Sequence, residues 1–139
     1  MTETDHAETY EQRVQAIQGA NQPILDGFEH WLKQAGLSEH TIKAHVDNMR
    51  FFERYLLWYG YSLRRLDEAS EGDVYDFLED WFPRKALWAS VSSMKVYLAS
   101  FKKFFTWMGE TGLVTPETVA DVRSTLKDSR SLFLRKVAE

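Results

Sequence analysis

Lysines recur at helical spacing between Val91 and Met108, and their pattern is the first in this sequence that suggests chemistry. At 100° per residue, Lys95 and Lys102 fall opposite the apolar positions, with Ser92 beside them and Lys103 at the margin. Lysines neutralise phosphates, and small residues between them let a helix approach a nucleic-acid groove. The pattern predicts a DNA-binding face or, with equal weight, a solvated helix face without acids.

A second polar stripe lies between Glu39 and Tyr59. Lys43, Asp47, Arg50 and Arg54 follow one another at one-turn spacing. They form either a second phosphate-binding ridge or a ladder of weak surface pairs around Asp47. The surface pair is the favoured interpretation for Asp47, whereas the arginines remain open because an arginine readily leaves a weak pair for a phosphate or a guanine edge.

Charge is segregated along the chain. The net charge is −4 and the pI about 5.6, which argues against indiscriminate binding of polyanions. Residues 67–80 contain seven acids and no base, whereas residues 81–109 contain five bases and no acid. A positive surface on the second segment is therefore compatible with an acidic protein.

Enzymatic and metal chemistry find little support in the sequence. The absence of cysteine excludes disulfides, thiol catalysis and cysteine-based zinc sites. Asp73, Asp76 and Asp80 share a helix face, for which a solvated surface is favoured over a cation site. His45 lies on an apolar face and is interpreted as a core histidine with one satisfied nitrogen. We predict no catalytic residue, no metal site and no cofactor.

The elements that position these side chains are predicted to be helical. Apolar residues recur at intervals of three and four rather than two, and only seven glycines and three prolines interrupt them. The fold class is therefore all-α, with four to five helices in an orthogonal or bundle-like arrangement. The predicted helices run from Pro23 to Ala35, from Glu39 to Tyr59, from after Ser70 to before Pro83, from Val91 to Met108, and from Pro116 towards the end of the chain. Ser38 and Thr115 are the predicted N-caps of the second and the last of these helices.

The length of 139 residues suits one compact domain. We predict an acidic tail or extra helix over residues 1–22, the main helical domain over residues 23–114, and a C-terminal helix over residues 115–139. The polar N-terminus lacks the features of a secretory signal, and no apolar run is long enough to span a membrane. A soluble, cytoplasmic protein without a membrane partner is expected.

Three stretches together resemble a known family. They are FEHWLKQAGLSEHTIKAHVDNMRFFERYL at residues 28–56, SEGDVYDFLEDW at 70–81, and SVSSMKVYLASFKKFFTWMGETGLV at 90–114. Their themes are a Gly-Leu-Ser turn with a threonine three residues on, an acidic middle helix, and a serine-rich entry into an aromatic helix. This combination is similar to the SAM-like core-binding domain of tyrosine recombinases, the phage-integrase family.

The resemblance implies a domain that forms half of a clamp around duplex DNA, with the second and fourth predicted helices against the major groove. It implies contacts from residues that largely coincide with the two polar stripes. These are His40, Thr41, Lys43 and Arg50 on the second helix, and Ser92, Ser93, Lys95, Lys102 and Lys103 on the fourth. Arg54 joins them as a member of the same stripe.

The resemblance also sets expectations for partners and activity. Double-stranded DNA is the expected partner, on which a homo-oligomer can form, and no small-molecule substrate is expected. The chain has no counterpart of the family's catalytic domain, so it is not expected to be an enzyme. Val46 and Asp47, and likewise Val96 and Tyr97, stand where family members often carry paired arginines, which predicts weaker phosphate neutralisation.

A different function class remains open, namely a helical protein-interaction or regulatory module that keeps the fold without binding DNA. The net acidity and the interrupted basic stripes favour it, as do three aromatic residues outside the predicted apolar stripes. These are Phe51, Trp58 and Trp107, for which packing under the first or fifth predicted helix is the favoured interpretation. An enzyme, the third class, is supported only by the acidic segment.

Overall fold

The computed structural model describes residues 9–60 and 62–138, and within these ranges every regular element is helical. The predicted all-α class is therefore confirmed. The helices are α1 (Tyr10–Gln34), α2 (Glu39–Trp58), α3 (Glu71–Asp76), α4 (Phe82–Lys85), α5 (Val91–Glu110), α6 (Pro116–Asp128) and α7 (Arg130–Lys136). A 3-10 turn (Leu66–Glu68) precedes α3, and a π-helical turn (Phe77–Trp81) joins α3 to α4.

Hydroxyl caps define where the long helices begin. The side chains of Thr9, Ser38, Ser90 and Thr115 each accept a hydrogen bond from the backbone N–H three residues on. Each bond satisfies an amide that the first helical turn leaves without a partner. The caps predicted at Ser38 and Thr115 are thus confirmed.

The first helix begins thirteen residues earlier than predicted, at Tyr10 rather than Pro23. Proline inside a helix removes one hydrogen bond, but contacts on both sides of Pro23 keep α1 continuous. Val14 is buried, and Asn21 is fully buried with its amide donating to Glu53 at 2.9 Å and accepting from the Leu66 backbone at 3.0 Å. The predicted division between residues 22 and 23 falls inside α1, and residues 1–8 lie outside the described part of the chain. The division into domains stays a prediction.

Pro83 does not end the third predicted helix, which continues to Lys85. The π-helical turn immediately before the proline explains this difference. The Phe82 N–H bonds to the Phe77 carbonyl, five residues back, so the backbone is wider where the proline ring must fit.

The last predicted helix is interrupted at Ser129 and continues as α7. The bend turns Phe133, which is fully buried, onto the ring of Tyr75, with ring centroids 5.6 Å apart. Lys136 then reaches Glu79 at 2.8 Å. Burial of Phe133 therefore favours two short helices over one straight one.

The core is an aromatic cluster centred on Phe77. Its ring lies within about 6 Å of seven other rings, most of them tilted or edge-on. These neighbours are Phe51, Phe52, Tyr55, Trp81, Phe82, Tyr97 and Phe101. The cluster ties α2, the π-helical turn and α5 into one body.

Two of the three aromatics considered as a partner surface are packed inside the molecule. Trp107 is only 7% exposed and lies against Gly27 and Phe28 of α1. Phe51 is half-buried against Trp81 and other core rings. Packing under the first helix is therefore confirmed for Trp107, whereas Phe51 packs against the π-helical turn and α4 rather than under the first or fifth predicted helix. Trp58 remains 47% exposed beside Tyr10.

Across residues 9–60 and 62–138, no helix combines the length and the apolar character that a membrane-spanning segment requires.

Candidate nucleic-acid interface

Helices α2 and α5 lie side by side, held by a polar contact at their centre. Ser100 is fully buried, and its hydroxyl lies 2.6 Å from Nδ1 of His45. The Asn48 amide donates to the same hydroxyl at 3.0 Å. This confirms His45 as a core histidine, and it fixes the register in which the exposed faces of the two helices are presented.

The environment of His45 favours its neutral form. Burial lowers the pKa of His45 below its ordinary value of 6.5, and the positive charge of Lys103 lowers it further. Asn48 donates to Ser100 Oγ, which leaves the hydroxyl proton free to point at Nδ1 of a neutral imidazole. The contact is thus a neutral hydrogen-bond network.

The polar stripe on α2 is only partly neutralised by its own acid. Lys43 pairs with Asp47 at 2.6 Å, and both side chains are more than half exposed. Arg50 reaches Gln22 of α1 at 3.5 Å instead, and Arg54 is exposed with no ion pair within the described residues. The surface-pair interpretation therefore holds for Asp47 through its pair with Lys43, while both arginines are accessible to an external anion.

Among the hydroxyl residues implied by the resemblance, two already serve the helix caps. Ser93 closes the capping box of α5 by hydrogen bonds with Ser90, and it also donates to the Trp88 carbonyl at 3.0 Å. Thr41 accepts from the Ser38 hydroxyl at 3.0 Å in the first turn of α2. Ser92 is exposed at the start of α5, beside the Ser93 cap.

The lysines of α5 point in two directions. Lys103 is half-buried on the side of α2, close enough to His45 to act on its charge. Lys95 and Lys102 are exposed and line a groove of about 610 Å³ between α5 and α6. No acid pairs with any of the three lysines in the described chain.

Residues of α6 and the start of α7 complete that groove, and sequence reasoning missed them. Arg123, Lys127 and Arg130 form its second wall. Their spacing of four and three residues could have predicted a cationic helix face. These residues lie outside the acid-free segment, residues 81–109, from which the cationic face of α5 was predicted. The packing of α6 against α5 brings the two sets of cations together.

The acidic segment does not cover this surface. Its carboxylates pair with bases near them in the fold: Asp67 and Glu68 with Arg65, Asp73 with Arg64, Asp80 with Arg84, and Glu79 with Lys136. Burial, and then the nearby acids, raise the pKa of Asp76. Within the described residues, no three acids or histidines converge as a metal site would require.

Comparison with known proteins agrees with this architecture. Residues 25–112 match the family described as phage integrase, N-terminal SAM-like domain. The chain belongs to this family. A protein similar to it is a tyrosine recombinase XerD of Shewanella oneidensis, with 29% identity over 104 residues.

The similarity to that recombinase covers 73% of this chain but only 32% of the recombinase. The SAM-like domain described here therefore corresponds to about a third of the relative's length. No solved structure matches the chain significantly. Helices α2 and α5 lie wholly within the matched range, whereas α6 and α7 lie beyond it.

Proposed function

We propose that this SAM-like domain is the duplex-DNA-binding module of a site-specific recombinase or integrase, and that it holds DNA by phosphate contacts from α2 and α5. The observation that carries the proposal is the pairing of these helices through His45 and Ser100, with cations at their surfaces that form no ion pair within the described residues. These cations are the exposed Arg50 and Arg54 on α2, the exposed Lys95 and Lys102 on α5, and Lys103, which is half-buried on the side of α5 that faces α2. In this role the chain binds DNA in the cytoplasm and takes no part in catalysis.

The cations of α2 and α5 favour contacts with the DNA backbone over recognition of individual bases. Lysine and exposed arginine side chains make contacts that are strong with phosphate and largely independent of sequence. Lys43 and Thr41 add contacts only after giving up Asp47 and the Ser38 hydroxyl. Ser92 offers an exposed hydroxyl at the start of α5, where the amides of the first turn also favour an anion.

Fluorescence anisotropy with a labelled duplex across a salt series tests the proposal. With four to five cations on phosphates, the logarithm of the association constant falls against the logarithm of salt with a slope of roughly −4. Absence of binding even at low salt would show the proposal to be wrong.

Double substitution of Lys95 and Lys102 by alanine separates backbone contacts from base contacts. Binding is expected to weaken to a similar degree on unrelated sequences. The matched control removes two exposed cations elsewhere, Arg13 on α1 and Arg135 on α7, and is expected to keep most of the affinity. A loss confined to one sequence would indicate base reading instead.

A protein-interaction module is the second candidate, and exposed apolar residues between α4 and α5 favour it. Leu87 is fully exposed and Trp88 is 53% exposed, which is unusual for neighbouring large apolar side chains. Self-association in the absence of DNA, abolished by Leu87→Ser, would support this candidate. Oligomers that appear only on DNA would support the first.

A further inference from the structure

The groove between α5 and α6 is built by an unusually close approach of two helices. A Cβ atom at Gly109 of α5 would lie only 2.5 Å from Cγ2 of Val119, so glycine is required for this contact. About one turn further along α6, Arg123 donates to the Thr106 hydroxyl at 2.8 Å. The groove extends from this bond towards Lys95 near the start of α5 and Arg130 at the start of α7.

Five cations surround this one concavity. They are Lys95 and Lys102 from α5 and Arg123, Lys127 and Arg130 from the opposite wall. The remaining lining residues are Leu98, Ala99 and Leu126, so no carboxylate of the described residues lines the groove. No ion pair within the described residues neutralises any of the five. Like charges in one half-enclosed groove repel one another, and an anion in the groove relieves that repulsion.

The spacing of the cations suits a ligand with repeated charges. Lys95 and Lys102 are seven residues apart, which is about 10 Å along a helix, and Arg123 and Lys127 are about 6 Å apart. A single carboxylate or phosphate cannot contact both walls along this length. A nucleic-acid strand, which carries a charge at every nucleotide, supplies partners for both walls.

Continuity with α5 indicates which polyanion occupies the groove. Lys95 and Lys102 belong both to this groove and to the face of α5 that is proposed to contact DNA. We propose that the groove binds the phosphate backbone of the same duplex, with Arg123, Lys127 and Arg130 extending the contact surface onto α6 and α7. This inference rests on the proposed function, and it adds a wall of the site that lies outside the range matched to the family.

The variant that tests the groove is Lys127→Ala/Arg130→Ala. Both side chains are exposed and make no hydrogen bond or ion pair within the described residues, so the fold is expected to persist, as thermal melting by circular dichroism will show. On a duplex, each lost phosphate contact makes the salt slope less steep by about 0.9, hence by roughly 2 for the pair. Affinity at moderate salt is expected to fall at least about tenfold. Hydroxyl-radical footprinting is expected to show a shorter protected region at one edge.

The control is Arg13→Ala/Arg135→Ala, which removes the same charge away from the groove. If both double variants bind a duplex with equal affinity, and Lys127→Ala/Arg130→Ala protects the same region of DNA as the wild type, the inference is wrong while the proposed function stands. If the wild-type protein binds no duplex, both are wrong. Tighter binding of polyglutamate than of duplex at equal charge, lost in Lys127→Ala/Arg130→Ala, would assign the groove to an acidic protein and overturn the inference.

Discussion

His45 and Ser100, 55 residues apart in the sequence, meet at 2.6 Å in the interior between α2 and α5. The contact is short, buried and shared with Asn48. The surrounding core consists of aromatic rings, which could pack in more than one register of α2 against α5. The hydrogen bonds of His45, Ser100 and Asn48 form in only one of these registers. The relative position of the cations on the two outer faces therefore depends on it.

Ser100→Ala is expected to destabilise the protein by about 1–3 kcal/mol, because it leaves buried polar groups of His45 and Asn48 without their shared partner. Urea unfolding followed by circular dichroism measures the change. Ser92→Ala, at an exposed position of the same helix, is the control and is expected to change the free energy of unfolding by less than about 0.5 kcal/mol. Equal stability of the two variants would show that the buried contact contributes nothing.

The free energy of unfolding is expected to decrease as pH falls below about 6.5, because the pKa of His45 is lowered in the folded protein. Burial, aided by Lys103, disfavours the charged imidazole in the folded state, so the unfolded chain binds more protons in this range. The contribution of neutral His45 to the free energy of unfolding is complete above 6.5, the pKa of this residue in the unfolded chain. It is lost as pH falls through the lower pKa of His45 in the folded protein. Histidine signals followed by NMR are expected to show a midpoint for His45 below 6.5. A midpoint above 6.5 would contradict the buried, neutral assignment.

The elements that sequence reasoning located well are those where a cap and a periodic apolar stripe agree. Ser38 and Thr115 mark their helices correctly, and α5 differs from its predicted end by two residues. Two of the errors fall at prolines, because local rules treat proline as a boundary. Tertiary contacts of Asn21 override that rule at Pro23, and a π-helical turn accommodates Pro83.

The candidate site was only partly predictable, for a related reason. A helical wheel identifies which residues of α5 are opposite its apolar stripe, but it cannot tell which neighbouring helix borders them. The structure places Lys103 towards α2 and Lys102 towards α6. The contribution of Arg123 depends on the contact between Gly109 and Val119, which no pattern in one segment reveals.

Gly27→Ala and Gly19→Ala are expected to change stability in opposite directions, although both glycines lie inside α1. At Gly27 a Cβ atom would lie 2.7 Å from Cζ2 of Trp107, so the indole must shift, and we expect a loss of about 1–3 kcal/mol. At Gly19 nothing lies within 4 Å, and alanine is expected to stabilise the helix by about 0.5–1 kcal/mol. Thermal unfolding of both variants measures the difference. Stabilisation by both substitutions would show that α1 and α5 are less closely packed than the structure has them.

Asp47→Asn is expected to strengthen DNA binding while leaving the fold intact. Asp47 holds Lys43 at 2.6 Å and is the acid within the cationic stripe of α2, so its removal frees one cation and removes one repulsion with phosphate. We expect a severalfold gain in affinity and a salt slope steeper by about 1. The exposed pair contributes little to stability, less than about 0.5 kcal/mol.

The control for Asp47→Asn is Glu11→Gln, which removes one negative charge at an exposed position near the start of α1. Anisotropy titrations at two or more salt concentrations compare the variants with the wild type. A similar gain in both variants would mean that net charge alone matters and that α2 has no special place in the interface. Weaker binding by Asp47→Asn, confined to particular sequences, would mean that the carboxylate accepts a hydrogen bond from a base, since cytosine offers such a donor in the major groove.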